Sequence, residues 1–369
     1  MIEFSSIGIV GQGYVGKSLA EVCLKSKYKV VAVDIDPKVI SEMSNRFIAD
    51  SYTISSDYSS LSSCSVVVIA VPTNLNNGTP DYSNILNALK SASQFISKKT
   101  LVVIESTVGV GFTKDIARKI IIDGAGHSDF YLSHVPERIN PGSNYPYENI
   151  TRVVSGMTSV DRFISNSFYK TIVNDTVLAD TLEEAEASKL LENSFRLVNI
   201  AFINQFNAAC KADGINAKNV INLSSSKPYG YMPFYPSSGA GGDCIPVDPV
   251  YLLESLHSIP ILEEAVDYNS KSADRIIDLV KDKFGNLDGK VVAVIGTAYK
   301  PNVASQNNSV GISLIEKLKL DGVAAYSVDH LVDGKSGILD RTDFGIIVNR
   351  HTTQPEYAKI PIIDVSEGI

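Results

Sequence analysis

The sequence predicts an α/β protein: a doubly wound parallel sheet first, then a central helical domain with one long helix, then a smaller C-terminal α/β domain. Three observations carry this. Apolar runs alternate with helical stretches over the first 155 residues, a proline-free segment of about 33 residues follows near 180, and a shorter alternation begins near 286. The implied division is 1–180, 181–285 and 286–369.

In the first part the apolar runs are IGIV (7–10), KVVAVD (29–34), SVVVIAV (65–71), TLVVIEST (100–107), DFYLSHV (129–135) and TRVVSG (151–156). Unbroken Val/Ile runs suit parallel strands covered on both faces. Residues 51–63 are Ser-rich and read as a loop. In the second part, TLEEAEASKLLENSFRLVNIAFINQFNAACKADG (181–214) combines helix formers with a Thr181/Glu184 capping box and Gly214 as a stop. A helix of about 33 residues would run about 50 Å, long enough to span domains or carry a subunit interface. In the third part KVVAVIGTAY (290–299), AAYSVD (324–329), FGIIVN (344–349) and IPIIDV (360–365) read as strands, and ISLIEKLKLDG (312–322) as a helix.

The chain has 369 residues, 44% hydrophobic and 20% charged, with a formal net charge of -8. This is ordinary globular composition, with no basic cluster to suggest nucleic acid. The N-terminus does not read as a secretory signal, and no apolar run reaches the ~18 residues of a membrane span. Cys23, Cys64, Cys210 and Cys244 lie far apart, as free thiols of a reducing cytoplasm would. The five histidines lack ligand spacing, so no metal site is expected.

GQGYVG (11–16) sits between the first strand and a helical stretch, and Asp34 ends the second strand 23 residues after Gly11. Gly11, Gly13 and Gly16 supply the tight turn, the close approach to a pyrophosphate and the helix–strand contact of a Rossmann-type dinucleotide site. A carboxylate at Asp34 accepts both ribose hydroxyls and repels a 2′-phosphate, which points to NAD. Thr73 (AVPTN) and Thr107 (ESTV) lie at the strand edge where ligands bind such sheets.

GGDCIPVD (241–248) places Cys244 after two glycines and before Pro246. Pro246 suits the first turn of a helix over 247–257, with Cys244 just outside its N-terminus, where a thiolate is favoured. Lys189 and Asn193 share one helix face, with Arg196 close to it, and could stabilise an oxyanion; from the helix alone a solvated stripe is the better reading. Glu137, in SHVPERINPG (133–142), stands at a strand exit in a loop stiffened by Pro136 and Pro141. Singly, each residue has a bland structural explanation. Together, a nicotinamide site and an activated cysteine suggest oxidation of an aldehyde through a thiol adduct, with Lys189, Asn193, Glu137 and Asp248 supplying oxyanion stabilisation and water activation.

Through GQGYVG, AVPTN, ESTV, PERINPG, EASKLLENSFRLVNIAFIN, GGDCIPVDP and GTAYKPN the chain resembles the nucleotide-sugar 6-dehydrogenases, over nearly its whole length. KPYGYMPFYP (227–236) resembles the UDP-N-acetylglucosamine branch, and PERINPG resembles the N-acetylhexosamine side rather than the UDP-glucose side. The resemblance implies a homodimer formed through the long helix, a UDP-sugar-binding C-terminal domain, and oxidation of a sugar C6 alcohol to the uronate with two NAD reduced. It implies Cys244 as nucleophile, Lys189 and Asn193 at the oxyanion, and Glu137 and Asp248 handling water and protons. It implies Gly11, Gly13, Tyr14, Val15, Gly16, Asp34, Thr73 and Thr107 at the cofactor, and Arg138, Arg196, Tyr235, Gly241, Gly242 and Lys300 at the sugar nucleotide. The chain departs from the pattern at Asp243, where histidine is usual, at Asn307, where arginine is usual, and at Gln205, which replaces a common glutamate. An acid beside Cys244 opposes thiolate formation.

Overall fold

Strand β1 (Ser6–Val10) pairs in parallel on one side with β2 (Lys29–Val33) and on the other with β4 (Val66–Ile69). β3 (Tyr52–Ser55) extends the β2 side. β5 (Leu101–Ile104) and β6 (Tyr131–His134) extend the β4 side. The order is β3-β2-β1-β4-β5-β6, all parallel, which is the doubly wound arrangement. Alternate residues feed two cores. Ile7, Ile9, Val66, Val68 and Val103 pack in one, and Val10, Val67, Ile69, Val102 and Ile104 in the other. Burial on both faces is why these strands read as unbroken apolar runs.

This computed structural model describes residues 4–48, 50–139, 145–334, 337, 340–353 and 360–369. The chain forms two compact units, 1–192 with 254–257, and 193–253 with 258–369. The sequence boundary at 285 therefore falls inside the second unit, where the central helices and the C-terminal sheet lie together.

Two sequence expectations change in the first unit. Part of the Ser-rich stretch 51–63 is strand β3, followed by a 3-10 turn at Tyr58–Ser63. Edge pairing with β2 and the packing of Tyr52 on Phe47, ring centroids 4.9 Å apart, override the loop-like composition. TRVVSG does form a strand, β7 (Arg152–Val154), but it pairs with β8 (Thr176–Leu178) outside the main sheet. A buried ion pair anchors β7. Arg152 Nη2 lies 2.9 Å from Glu105 Oε1, both side chains fully buried. The Tyr169 hydroxyl donates to the same oxygen at 2.7 Å, and Arg152 Nη2 donates to the Tyr147 hydroxyl at 2.5 Å.

The long helix spans Leu182–Ala212, 31 residues. Its capping box is present: Glu184 N–H donates to Thr181 Oγ1 at 3.1 Å and Thr181 N–H donates to Glu184 Oε2 at 3.2 Å. Gly214, with φ +67°, ends the segment in the left-handed region. The second unit carries a parallel sheet of β9 (Val291–Ile295), β10 (Ala324–Val328), β11 (Phe344–Ile347) and β12 (Ile362–Asp364), in the order β10-β9-β11-β12. The expected helix after β9 spans Val310–Leu320.

Asp329 follows β10 and is buried. Its carboxylate accepts N–H bonds from Ala298 at 2.8 Å and Leu331 at 3.0 Å, and lies 3.1 Å from His351 Nε2. His351 Nδ1 accepts the Asn302 N–H, so the ring proton sits on Nε2 and points at Asp329. Burial alone would raise the carboxyl's affinity for a proton. The Ala298 N–H, the His351 ring and the Leu331 N–H outweigh that and hold it below the usual carboxylate range.

Arg152→Met strands the Glu105 carboxylate and should cost about 3–5 kcal/mol in denaturant unfolding; a loss under about 1 kcal/mol would show that the pair is not holding β7. A depressed carboxyl contributes stability that is complete above the unfolded value and lost as pH falls through the folded one. Melting temperature should therefore drop more for the wild type than for Asp329→Asn between about pH 5 and about pH 2. Parallel curves would refute that assignment.

Candidate functional site

The turn after β1 has the geometry of a phosphate-binding loop. Gly11 takes φ +90°, and its N–H donates to Val33 O at 2.8 Å. A Cβ there would lie 2.6 Å from the Ala70 carbonyl oxygen. A Cβ on Gly16 would lie 1.9 Å from the Gly11 oxygen, whereas one on Gly13 would meet nothing within 4 Å. Two glycines are thus consumed by the turn itself, and the third leaves open backbone. Helix α1 (Tyr14–Lys25) starts there with no side-chain cap and no acid in its first turn. Its free N–H groups and positive dipole end suit an anion. Tyr14 is exposed and Val15 half-buried. Asp34 is oriented by N–H bonds from Gln12 at 2.7 Å and Asp36 at 2.9 Å. These residues fit a dinucleotide: open backbone for the pyrophosphate, and a carboxylate fixed at the end of the neighbouring strand for the ribose.

Farther along that edge, the Thr73 hydroxyl donates to Thr107 O at 2.7 Å, and the Ser106 hydroxyl donates to Val71 O at 2.7 Å. Thr73 and Thr107 are therefore brought together. Glu137, just past β6, is half-buried, and its carboxylate accepts the Ile139 N–H. Pro141 and Gly142 of the same motif lie outside the described residues. Arg138 is held by Glu192, with Nη2 to Oε1 at 2.6 Å and Nε to Oε2 at 3.2 Å, and its Nη1 donates to Thr151 O at 2.8 Å. Glu186, on the long helix, accepts the N–H groups of Gly111 at 2.6 Å and Thr113 at 2.9 Å. Burial nevertheless pushes its carboxyl up to about 6.

The expected solvated stripe on the long helix is not what forms. Lys189 is 6% exposed and Asn193 7%, while Arg196 is exposed. Burying a lysine and an amide is costly without a polar purpose. In the second unit Asn193 Nδ2 donates to Asp248 Oδ2 at 2.6 Å, and Asp248 is 2% exposed.

The helix after the cysteine starts later than its sequence suggests. It spans Asp248–Ser255, so Pro249, not Pro246, occupies its first turn. Val247 and Asp248 donate their N–H groups to Cys244 O, at 3.1 and 2.9 Å. A turn thus separates Cys244 from the helix, because the Cys244 carbonyl closes it first. Cys244 is half-buried, whereas Cys23, Cys64 and Cys210 are buried. Lys300 lies within electrostatic reach. Burial, then Arg196, lower its proton affinity, and Cys244 acts in the opposite sense. Its ammonium also stands 5.6 Å from the Tyr299 ring centroid.

Gly241 and Gly242 pack closely against a neighbouring segment of the chain. A Cβ on Gly242 would lie 2.7 Å from the Tyr299 ring, and one on Gly241 2.8 Å from Asn308 O. The missing side chains make room for the chain's own 299–309 segment. Gly242 N–H donates to Asn307 O at 2.9 Å, and Asn308 Nδ2 donates to Gly242 O at 3.1 Å. Asn307 Nδ2 lies 2.9 and 3.2 Å from the two Asp243 oxygens. The two departures noted in the sequence thus touch each other. Tyr235 is exposed, its hydroxyl 3.5 Å from Asn222 Oδ1. Sequence reasoning missed the Glu105–Arg152 pair, although each charge interrupts an otherwise apolar run (VVIE, TRVV).

The NAD binding domain of the UDP-glucose/GDP-mannose dehydrogenase family matches residues 5–173, and the central domain of that family matches 183–271. Protein CapL of Staphylococcus aureus is 31% identical over 344 residues, covering 86% of this chain and 80% of its own. The UDP-N-acetyl-D-glucosamine 6-dehydrogenase of Salmonella typhi is 28% identical, covering 94% and 86%. The UDP-N-acetyl-D-mannosamine dehydrogenase of Campylobacter jejuni is 26% identical, covering 86% and 84%. The solved UDP-D-ManNAc dehydrogenase of Pyrococcus horikoshii superposes with a TM-score of 0.84 at 25% identity, covering 94% and 90%.

Proposed function

Because the chain belongs to the UDP-glucose/GDP-mannose dehydrogenase family of NAD-dependent oxidoreductases, we propose that it oxidises the C6 alcohol of a UDP-N-acetylhexosamine, UDP-N-acetylglucosamine foremost, to the uronate. The observation that carries the covalent part is Cys244: of the four cysteines it alone is accessible, and Lys300 stands within its electrostatic reach. The N-acetylhexosamine assignment rests on the 227–236 and PERINPG motifs and on relatives named for such sugars.

NAD, when bound, accepts a hydride in each of two oxidations. Gly11, Gly13, Tyr14, Val15 and Gly16 would hold its pyrophosphate, Asp34 its ribose, and Thr73 and Thr107 its nicotinamide end. After the first oxidation the Cys244 thiolate adds to the C6 aldehyde, forming a C–S bond and an oxyanion. Lys189 and the second Asn193 N–H stabilise that oxyanion. Loss of hydride from C6 leaves a thioester. Water, deprotonated by Glu137 or Asp248, displaces the thiolate and releases the uronate. Arg138, Arg196, Tyr235, Lys300 and the Gly241–Gly242 backbone would address the sugar nucleotide. UDP-N-acetylmannosamine and UDP-glucose are the alternative substrates. The replacement of the usual histidine by Asp243 and of the usual arginine by Asn307 motivates a second reading, a relative that binds without turnover, and the intact Cys244, Lys189, Asn193 and Asp248 argue against it.

The protein acts as a homodimer in the cytoplasm on this reading. Leu191, Phe195 and Phe202 are 63%, 46% and 65% exposed at spacings that share one face of the long helix. Four free cysteines suit a reducing compartment.

With limiting UDP-N-acetylglucosamine, two NADH should form per sugar consumed, and Cys244→Ser should form no uronate. Full uronate output from that variant would end the covalent mechanism, and silence on every UDP-sugar tried, with ligand still bound in calorimetry, would favour the binding reading. In sedimentation, Phe202→Asp should convert a dimer to a monomer; unchanged sedimentation would rule out this face.

A further inference from the structure

The segment 299–309 flanks the cysteine loop twice. It brings Lys300 within electrostatic reach of Cys244 and presents Asn307 to Asp243. The arrangement is built, not incidental. Gly242 N–H to Asn307 O, Asn308 Nδ2 to Gly242 O, and the Tyr299 ring against Gly242 join the two segments. Lys300 is in electrostatic reach of both Cys244 and Arg196, Asp243 is next to Cys244 in the chain, and Asp248 accepts a hydrogen bond from Asn193. The Asp243 carboxylate is exposed and is held by the Asn307 side-chain amide. Left loose beside the thiol, it would oppose thiolate formation.

We infer that Asn307 is a positioning residue for Cys244: its side-chain amide holds the Asp243 carboxylate on the 299–309 segment and so limits the negative field that carboxylate exerts on the thiol. This rests on the reading of Cys244 as the attacking sulfur. The amide donates to the carboxylate without adding a second cation near Lys300. An acid before the cysteine and an amide on the facing segment are thus one paired device, and each would be unfavourable without the other.

The test follows the rate of Cys244 alkylation by iodoacetamide against pH in the full chain, without NAD or sugar. Cys244→Ala supplies the blank, and the other cysteines are buried. Asn307→Ala should slow alkylation near neutral pH about two- to threefold, less than a whole charge would because the Asp243 carboxylate is present in both proteins and only its position changes, and move the profile to higher pH. Asp243→Asn should speed it and move the profile down. Asp243→Asn combined with Asn307→Ala should behave as Asp243→Asn alone, because Asn307 acts through that carboxylate. A wild-type profile for Asn307→Ala, or slowing that persists in the double variant, overturns the inference. Both residues are exposed, and equal melting temperatures confirm folded variants. Alkylation reads the thiol without turnover, so failure of the dehydrogenase reading would show in NADH formation and leave this result standing.

Discussion

Parallel strands covered on both faces leave one place for polar chemistry, the edge where their carboxyl ends emerge. Both sheets of this protein obey that constraint. In the first, Gly11 N–H returns to Val33 O, and Asp34 takes the next N–H. In the second, Gly296 N–H returns to Val328 O, and Asp329 takes the N–H of Ala298. Thr73, Thr107 and Glu137 also follow strands of the first sheet, and Lys300 follows the first strand of the second. The candidate chemistry lies where buried apolar strands force backbone and side-chain polar groups to appear.

The fold was legible because its signals are local. Val/Ile runs marked most strands of both sheets, and Thr181, Glu184 and Gly214 marked the ends of the long helix. β3 escaped because Tyr52–Ser55 is a strand by virtue of its partner, not its composition. β7 was seen but misplaced, since nothing in TRVVSG states which neighbour it takes.

The site was legible in its members and less so in its arrangement. Spacing put Lys189 and Asn193 on one face, but burial shows that the face is not a solvated one. Nothing in the sequence says that Tyr299 and Asn308, more than fifty residues on, pack where Gly241 and Gly242 lack side chains. Asp243 and Asn307 read as two separate departures, and only tertiary structure makes them one contact. Contacts across long stretches of chain leave no periodicity to read, which is why chemistry-bearing residues were found while their partners were not.

The repeated turn carries a consequence of its own. Asp34 uses its oxygens on two backbone N–H groups and stays partly open to solvent. Asp329 is closed in by two N–H groups and a histidine ring, and it is buried. Of these two matching turns, one is a seat and the other a filled copy. If the proposed four-electron oxidation holds, the one such seat among the described residues would have to be vacated and refilled midway, and a sulfur–carbon bond to Cys244 would keep the half-oxidised sugar from escaping during the exchange.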